Sequence, residues 1–470
     1  MSQLGKTEKD LIKSREDKRR KLEAFGVETY PSKSKRNYIV SKVLDSHKEF
    51  IAGGEDLCLA GRLMAVRGHG AIIFADLIDE SGKIQLFFKK DNLGDDFKMI
   101  EFLDIGDFIG ATGKLFITKA GETTLEVFNF KLLTKSMRPL PEKWHGLSDV
   151  ETRYRERYVD LIVNPEVKEL FYKRSKIIQT LRNFLSENGF LEVDTPTLQP
   201  IAGGAVAKPF VTHYNAYDRD VFLRIAPELY LKRLIVGGFE KVFEFARCFR
   251  NEGVDATHNP EFTNLEFYWA YTDYEKLMEF TEELMCDLVK QVFDKTEIEI
   301  GGKKIDFTKK FPRITFDKMT GGKNTDEAFK VAVRKTIEPT FVIDHPVEIS
   351  PLAKKKVPMP QGDAGSRSES VGNVVERFQL ILGGLEVANA FSELNDPVDQ
   401  KQRFEEQGKK KAAGDEEAHD YDADFVKALE YGMPPTAGWG MGIDRVVMLL
   451  CGAKTLREIL LFPFMKSEGK

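Results

Sequence analysis

Cysteine is scarce in this sequence: Cys58, Cys248, Cys286 and Cys451 are the four in 470 residues. They stand far apart, with no CxxC pair and no paired histidines at ligand spacing, which argues against a zinc site or a disulfide framework and fits a reducing compartment. An excess of one charge is also lacking, since 70 basic residues meet 75 acidic ones for a formal net charge of -5. The whole is no polycation, so any contact with nucleic acid must come from a local patch. No apolar run is long enough to span a bilayer, and the charged start MSQLGKTEKD does not read as a signal peptide. The expectation is a cytoplasmic chain without a membrane segment, long enough for two or three domains.

What is present divides into an early β-rich part and a longer mixed part. Residues 1–50 carry a helix-like run over 6–25, with Leu11, Ile12, Leu22 and Phe25 set among charges. Its basic excess, continued by Lys33, Lys35 and Arg36, is either a solvated face or a phosphate contact. Over 51–136 five strand-like runs follow: LCLAGRLMAVR, AIIFADLID, KIQLFFKK, DFIGATGKLFIT and TTLEVFNFKLL. A helical segment near Phe97 to Leu103 falls between the third and fourth, and this order predicts an OB barrel, a fold that often binds oligonucleotides. Alternation turns Ile73, Ala75 and Leu77 inward and Phe74 and Asp76 outward, then Ile84, Leu86 and Phe88 inward and Gln85 and Phe87 outward. Phe74 and Gln85, near Arg67, are either a platform for reading unpaired bases or surface groups without a partner.

A proline-bearing linker over 137–160 leads into a larger domain, 161–470. Asn164 as cap and Pro165 as first helical residue predict a helix that Gly189 ends. Pro227 predicts another, with Glu228 in its first turn, where the helix dipole favours a carboxylate; the other reading of Glu228 is an ammonium ligand. The stretch Phe245 to Tyr271 reads as two strands joined by a polar loop. One face gathers Phe243, Phe245, Arg247, Phe249, Leu265, Phe267 and Trp269. The other has Glu244, Ala246, Cys248, Arg250, Phe262, Asn264, Glu266 and Tyr268, either a water-facing surface or the floor of a pocket with room for a ligand.

The run VVERFQLILGGLEVANAFSEL predicts a second hairpin, turning at Gly383 and Gly384, with Gln379 and Glu386 diagonal on one face. Glu386 and Asn389 differ in parity, so a bulge or the onset of helix must intervene if both reach one pocket. Helical spacing from Asn389 onward puts Asn389 and Glu393 on one side. In PPTAGWGMGIDRVVMLL the alternating Gly438, Gly440 and Gly442 leave one strand face bare, for a flat ring or for tight packing. Asp444 and Arg445 follow at the turn into a helix.

Taken together, the strings APELYLKR, RNEG, THNPEFT, FSELNDP and GIDR, in this order behind an OB domain, resemble the class II aminoacyl-tRNA synthetases and, among them, the bacterial lysyl type. The resemblance covers almost the whole chain. It implies an α+β multidomain protein, an N-terminal OB-fold β-barrel plus a catalytic domain with an antiparallel sheet flanked by helices, and a homodimer formed through the first signature helix. It implies activation of L-lysine by ATP to lysyl-adenylate, transfer to lysine tRNA, and a need for Mg2+. Carried over by position, Arg250 bridges the lysine carboxylate and the α-phosphate. Glu252, His258, Asn259 and Phe262 bind ATP, with Phe262 on adenine, and Arg445 covers its other face. Glu386 matches a metal ligand. Gly204, Glu228 and Glu266 surround the α-amino end of lysine, Asn389 its carboxylate, and Tyr268 and Glu393 its ε-ammonium. Arg67, Phe74 and Gln85 fall where the family reads the anticodon.

Three departures stand out. Gln379 occupies a position where the family has a second metal-binding carboxylate, so weaker metal binding is expected there. The segment near 317–338 is shorter than the usual helical insertion, and the 354–373 loop is longer than usual. A catalytically impaired regulatory paralogue is opposed by Arg250, Glu386 and Arg445. An aspartyl or asparaginyl enzyme is opposed by the carboxylate of Glu393.

Overall fold

Alternation closes the early strands into a barrel. In a computed structural model that describes residues 7–141, 147, 149–356, 373–414 and 421–467, the chain forms two compact units, Met1–Ser148 and Asp149–Lys470. In the first, β1 (Leu57–His69), β2 (Ile72–Ile78), β3 (Lys83–Lys89), β4 (Phe108–Ile117) and β5 (Thr123–Thr134) close in the order β1-β2-β3-β5-β4. Ala75, Leu77, Ile84, Leu86 and Phe88 fill the interior as their parity requires, and Ile73 packs at its margin. The helical segment between β3 and β4 is chiefly a 3-10 stretch, Gly94–Phe102. Helix Glu8–Ala24 is anchored to this unit by Leu22 in the core and by Arg15, which donates to the carbonyls of Ser136, Arg138 and Ile105 at 2.9 Å each.

The second unit begins within the expected linker, since Val150–Arg155 and Arg157–Val163 are helical. Helix Glu166–Glu187 then starts after Pro165, which already has helical angles. Asn164 does not cap it. Its amide donates instead to Asp160 Oδ1 (2.7 Å) in the preceding helix. The strands are β6 (Leu191–Glu192), β7 (Leu198–Gln199), β8 (Val211–Tyr214), β9 (Arg219–Leu223), β10 (Lys241–Phe249) and β11 (Glu261–Ala270). They continue as β12 (Glu297–Ile300), β13 (Lys303–Asp306), β14 (Arg313–Thr315), β15 (Thr340–Pro346), β16 (Val374–Leu382), β17 (Leu385–Ser392) and β18 (Thr436–Gly442). Eight of these make one sheet in the order β14-β15-β16-β17-β18-β11-β10-β6. It is antiparallel through the middle and parallel only at its outer pairs, β14 with β15 and β10 with β6.

Size sorting in the first hairpin decides which face is covered. Phe243, Leu265 and Phe267 pack with Trp439 against Glu166–Glu187 and helix Tyr274–Phe293 through Ile177, Leu181, Leu277 and Phe280. The opposite face is left for the site. Gly383 and Gly384, with φ of 60° and 80°, make the two-residue turn from β16 to β17. No helix begins at Asn389, because β17 runs on to Ser392. A bulge does the work instead: Ile381 pairs with Glu386 but Leu380 with Ala388, so Val387 is extra and the parity of Glu386 and Asn389 is brought into line. Asn389 and Glu393 share a side through the two-residue period of an extended chain. The stretch expected to be a shortened insertion forms helices Phe316–Thr320 and Asp326–Lys335. Most of the 354–373 loop lies outside the described residues.

Candidate active site

The uncovered sheet face bounds a cavity of about 470 Å³. Its lining contains Gly204, Glu228, Arg250, Glu252, His258, Asn259, Phe262, Glu266, Tyr268, Gln379, Glu386, Asn389 and Arg445. Residues spread over more than 240 positions therefore meet because β16, β17, β18 and β11 are neighbours. Glu393 is not part of the wall; it is fully buried just behind Gly438.

One end of the cavity is acidic. Glu228 accepts from Lys232 Nζ at 2.6 Å, and the same ammonium is ion-paired with Glu393. Glu266 accepts from Asn264 Nδ2 (2.8 Å) and from the Tyr268 hydroxyl (3.2 Å). Burial pushes the Glu266 carboxyl up to about 8, and the charge of Glu228 adds to that. Burial also raises Glu393 well above the carboxylate range, although Lys232 opposes it. Lys232 is itself raised, because Glu228 and Glu393 outweigh the cost of its burial. Its ammonium is therefore retained in the protein interior. The glycine face belongs to this end. Gly438 pairs with Tyr268 on one side and Phe391 on the other, and Gly440 with Glu266 and Asn389. At Gly438 the space is taken by Glu393 and the Tyr268 ring, so tight packing is what requires glycine there.

The other end is cationic. The Arg250 guanidinium lies 4.9 Å from the centre of the Phe262 ring, and its buried Nε has no hydrogen-bond partner. Arg445 donates to His258 Nε2 (3.0 Å) and to the Glu386 carbonyl (3.1 Å). Because His258 Nε2 accepts, its proton sits on Nδ1, which faces Asp255 at 2.9 Å. Asp444 fixes the strand-to-helix turn beside Arg445 by accepting from the Thr263 amide (3.1 Å) and pairing with Arg174 (2.6 Å). Glu252 stands in the exposed loop, and the Asn259 amide is turned to the Glu261 carbonyl (2.6 Å).

Three residues beyond the expected set belong here. Lys232 was signalled by its place four residues after Glu228 on one helix. Arg377 shares parity with Gln379; it is half-buried, lines the cavity, and donates to Asn389 Oδ1 (2.9 Å) and Ser350 Oγ (2.9 Å). His345, with Nε2 2.9 Å from Gln379 Oε1, had no local signal, because only the pairing of β15 with β16 brings it near. As a magnesium site, the donors present are the half-buried Glu386 carboxylate and the Gln379 amide. One carboxylate with substrate phosphates fits a magnesium ion; nothing at Gln379 supplies the charge for a second.

In the first unit the outer barrel face brings Arg67, Phe74 and Phe87 side by side across β1, β2 and β3, with Asp76 opposite Gln85. Phe74 and Phe87 have ring centres 5.0 Å apart, and Arg67 donates to Asp76 at 2.9 Å. Gln85 differs from its expected open position. It is buried, donates to Glu122 (2.9 Å) and accepts from Thr124 (3.0 Å), because the loop before β5 folds over it.

Residues 149–466 match the family model for class II tRNA synthetases (D, K and N), and residues 57–133 that for an OB-fold nucleic acid binding domain. The chain belongs to the class II tRNA synthetases. Curated relatives place it in the lysyl branch of that class. A lysine–tRNA ligase of Carboxydothermus hydrogenoformans is 48% identical over 97% of this chain and 98% of its own length. Those of Pelotomaculum thermopropionicum and of Thermoanaerobacter sp. (strain X514) are also 48% identical, over 97% and 98% of this chain and 95% and 97% of their own lengths.

Proposed function

We propose that the cavity of the second unit activates L-lysine with ATP, and that the chain then transfers the lysyl group to lysine tRNA. The two-ended charge of the cavity carries this reading. Three buried carboxyl groups, Glu228, Glu266 and Glu393, share a single resident ammonium, Lys232. When all are ionised, Lys232 and the neighbouring Arg377 guanidinium leave them short of positive charge, and lysine brings two ammonium groups. Its carboxylate then extends toward Arg250, whose buried Nε has no hydrogen-bond partner. A neutral or acidic side chain would leave buried carboxylates uncompensated, at a cost of several kcal/mol.

The first step needs alignment more than proton transfer, because the attacking lysine carboxylate is ionised at neutral pH. Its oxygen bonds to the α-phosphorus as the bond to pyrophosphate breaks. Arg250 spans both reactants, where charge builds up in the transition state. Phe262 offers its ring to adenine, and Arg445, held by His258, lies beside the phosphates. Magnesium bound by Glu386 and the phosphates would neutralise their charge. In the second step a terminal ribose hydroxyl of tRNA attacks the lysyl carbonyl and AMP leaves, while Arg67 and Phe74 of the barrel hold the anticodon.

A homodimer through helix Glu166–Glu187 belongs to the same reading, as does a cytoplasmic location. Exposed Phe462 and Phe464 support an unfinished surface on this unit. No described helix is long and apolar enough to cross a membrane. The test is ATP–pyrophosphate exchange measured with each amino acid in turn. Exchange driven by lysine is expected. Exchange driven by aspartate or asparagine, or none with any amino acid, overturns the proposal.

A further inference from the structure

Gln379 and the helices Phe316–Thr320 and Asp326–Lys335 are physically connected. Phe316 and Phe329 from the two insertion helices stack on each other at 4.8 Å and pack on the His345 imidazole at 5.3 and 6.1 Å between ring centres. His345 is brought there by Asp344, whose φ of 58° accompanies a break in register between β15 and β16. His345 is 1% exposed, and its Nε2 lies 2.9 Å from Gln379 Oε1. An amide oxygen can only accept, so this contact places a proton on Nε2 and makes His345 the donor to Gln379. The Gln379 oxygen is then directed into the protein, and its NH2 group is the end left toward the cavity that this residue lines.

We propose that Gln379, oriented by His345, is a hydrogen-bond donor to the polyphosphate of the nucleotide and not a ligand of a metal ion. His345 is thus a positioning residue for substrate binding. The exchange of roles is chemically balanced. A carboxylate at this place needs a cation between itself and the phosphates, whereas an amide N–H meets phosphate oxygen directly. Glu386 across the hairpin remains the carboxylate of the site. This inference rests on the reading of the cavity as the ATP site.

The test counts Mn2+ bound per subunit by electron paramagnetic resonance, with lysine and a non-hydrolysable ATP analogue at saturation, in wild type and in Gln379→Glu. Gln379→Glu is expected to bind one more Mn2+ than wild type. Equal counts overturn the proposal. His345→Leu, which keeps the packing volume but cannot donate, releases the amide. Its affinity for the analogue should fall toward that of Gln379→Met, and an unchanged affinity in a protein that melts normally overturns the role of His345. Gln379→Met removes the donor and should weaken the analogue about tenfold, one charge-assisted hydrogen bond. Unaltered affinity also overturns the proposal. Failure of the ATP reading itself looks different, because the analogue then binds neither wild type nor any variant.

Discussion

A methyl group built on Gly438 would stand 2.1 Å from Oε1 of Glu393 and 2.5 Å from Cε1 of Tyr268. Neither group is the free end of a mobile chain, since Glu393 is fully buried against Lys232 and Tyr268 is pinned to Glu266. Gly438→Ala must push both out of place. Displacement by about 1 Å at a reacting site costs about 100-fold in rate. A loss of that order is expected in lysine-dependent pyrophosphate exchange. Gly440→Ala is the control: its added carbon would lie 3.4 Å from Glu266 Cγ, which asks for far less movement. Equal losses in the two variants would show that the glycine face, not Glu393, sets the effect.

Glu393→Gln keeps the shape of the side chain and removes its charge. Lys232 then retains only Glu228, and the acidic end of the cavity loses one of its three carboxyl groups. Breaking a buried pair costs about 3 to 5 kcal/mol, so kcat/KM for lysine should fall by about 150- to 5000-fold. The KM for ATP should not change, because Glu393 lies at the acidic end. Steady-state exchange with each substrate varied in turn checks both statements. A lysine KM within twofold of wild type would remove Glu393 from the lysine site.

Glu266, raised to about 8 chiefly by burial, holds a proton in the ligand-free protein at neutral pH, and burial shifts Glu393 in the same direction. Lysine pairs with the ionised forms, so binding releases protons. Affinity should therefore climb as pH rises from 6 and level off near 8. Calorimetry in two buffers of different ionisation heat measures the release directly. Stability follows the opposite sign. A folded carboxyl raised above its unfolded value contributes stability that is full below the unfolded pKa and is lost as pH rises through the folded one. The ligand-free melting temperature should thus decline between pH 6 and 9, and added lysine should cancel more of that decline at the upper end.

The hairpin faces were legible because a period of two sorts residues wherever one side is buried. Phe243, Leu265 and Phe267 had to oppose Glu266 and Tyr268, and they do. Residues that act across the sheet were not legible. Val387 is an ordinary apolar residue in the sequence, and only pairing with β16 makes it the bulge that turns Asn389 toward the cavity. Helical spacing was assigned to Asn389 and Glu393 because four residues suit a helix as well as a strand of matching parity. Gln85 was read correctly as facing away from the barrel interior. The cover provided by Glu122 and Thr124 depends on a loop almost forty residues later, which alternation does not register.

The barrel face therefore divides into two kinds of residue that mutagenesis can separate. Phe74 has its ring beside Phe87, and Arg67 keeps half its side chain in water despite its bond to Asp76. Both can meet an unpaired base. Stacking on an aromatic ring contributes about 1 to 3 kcal/mol per base, so Phe74→Ala should lower kcat/KM for tRNA lysylation by about 5- to 100-fold. Pyrophosphate exchange, which involves no tRNA, should be untouched, and Arg67→Ala should behave likewise. Gln85→Ala, by contrast, leaves Glu122 and Thr124 without their buried partner. Unmet hydrogen bonds cost about 1 to 3 kcal/mol, enough to lower the melting temperature of the barrel. A Gln85 variant that melts like wild type yet loses lysylation as Phe74→Ala does would mean that tRNA draws Gln85 out of its bonds to Glu122 and Thr124 to read a base.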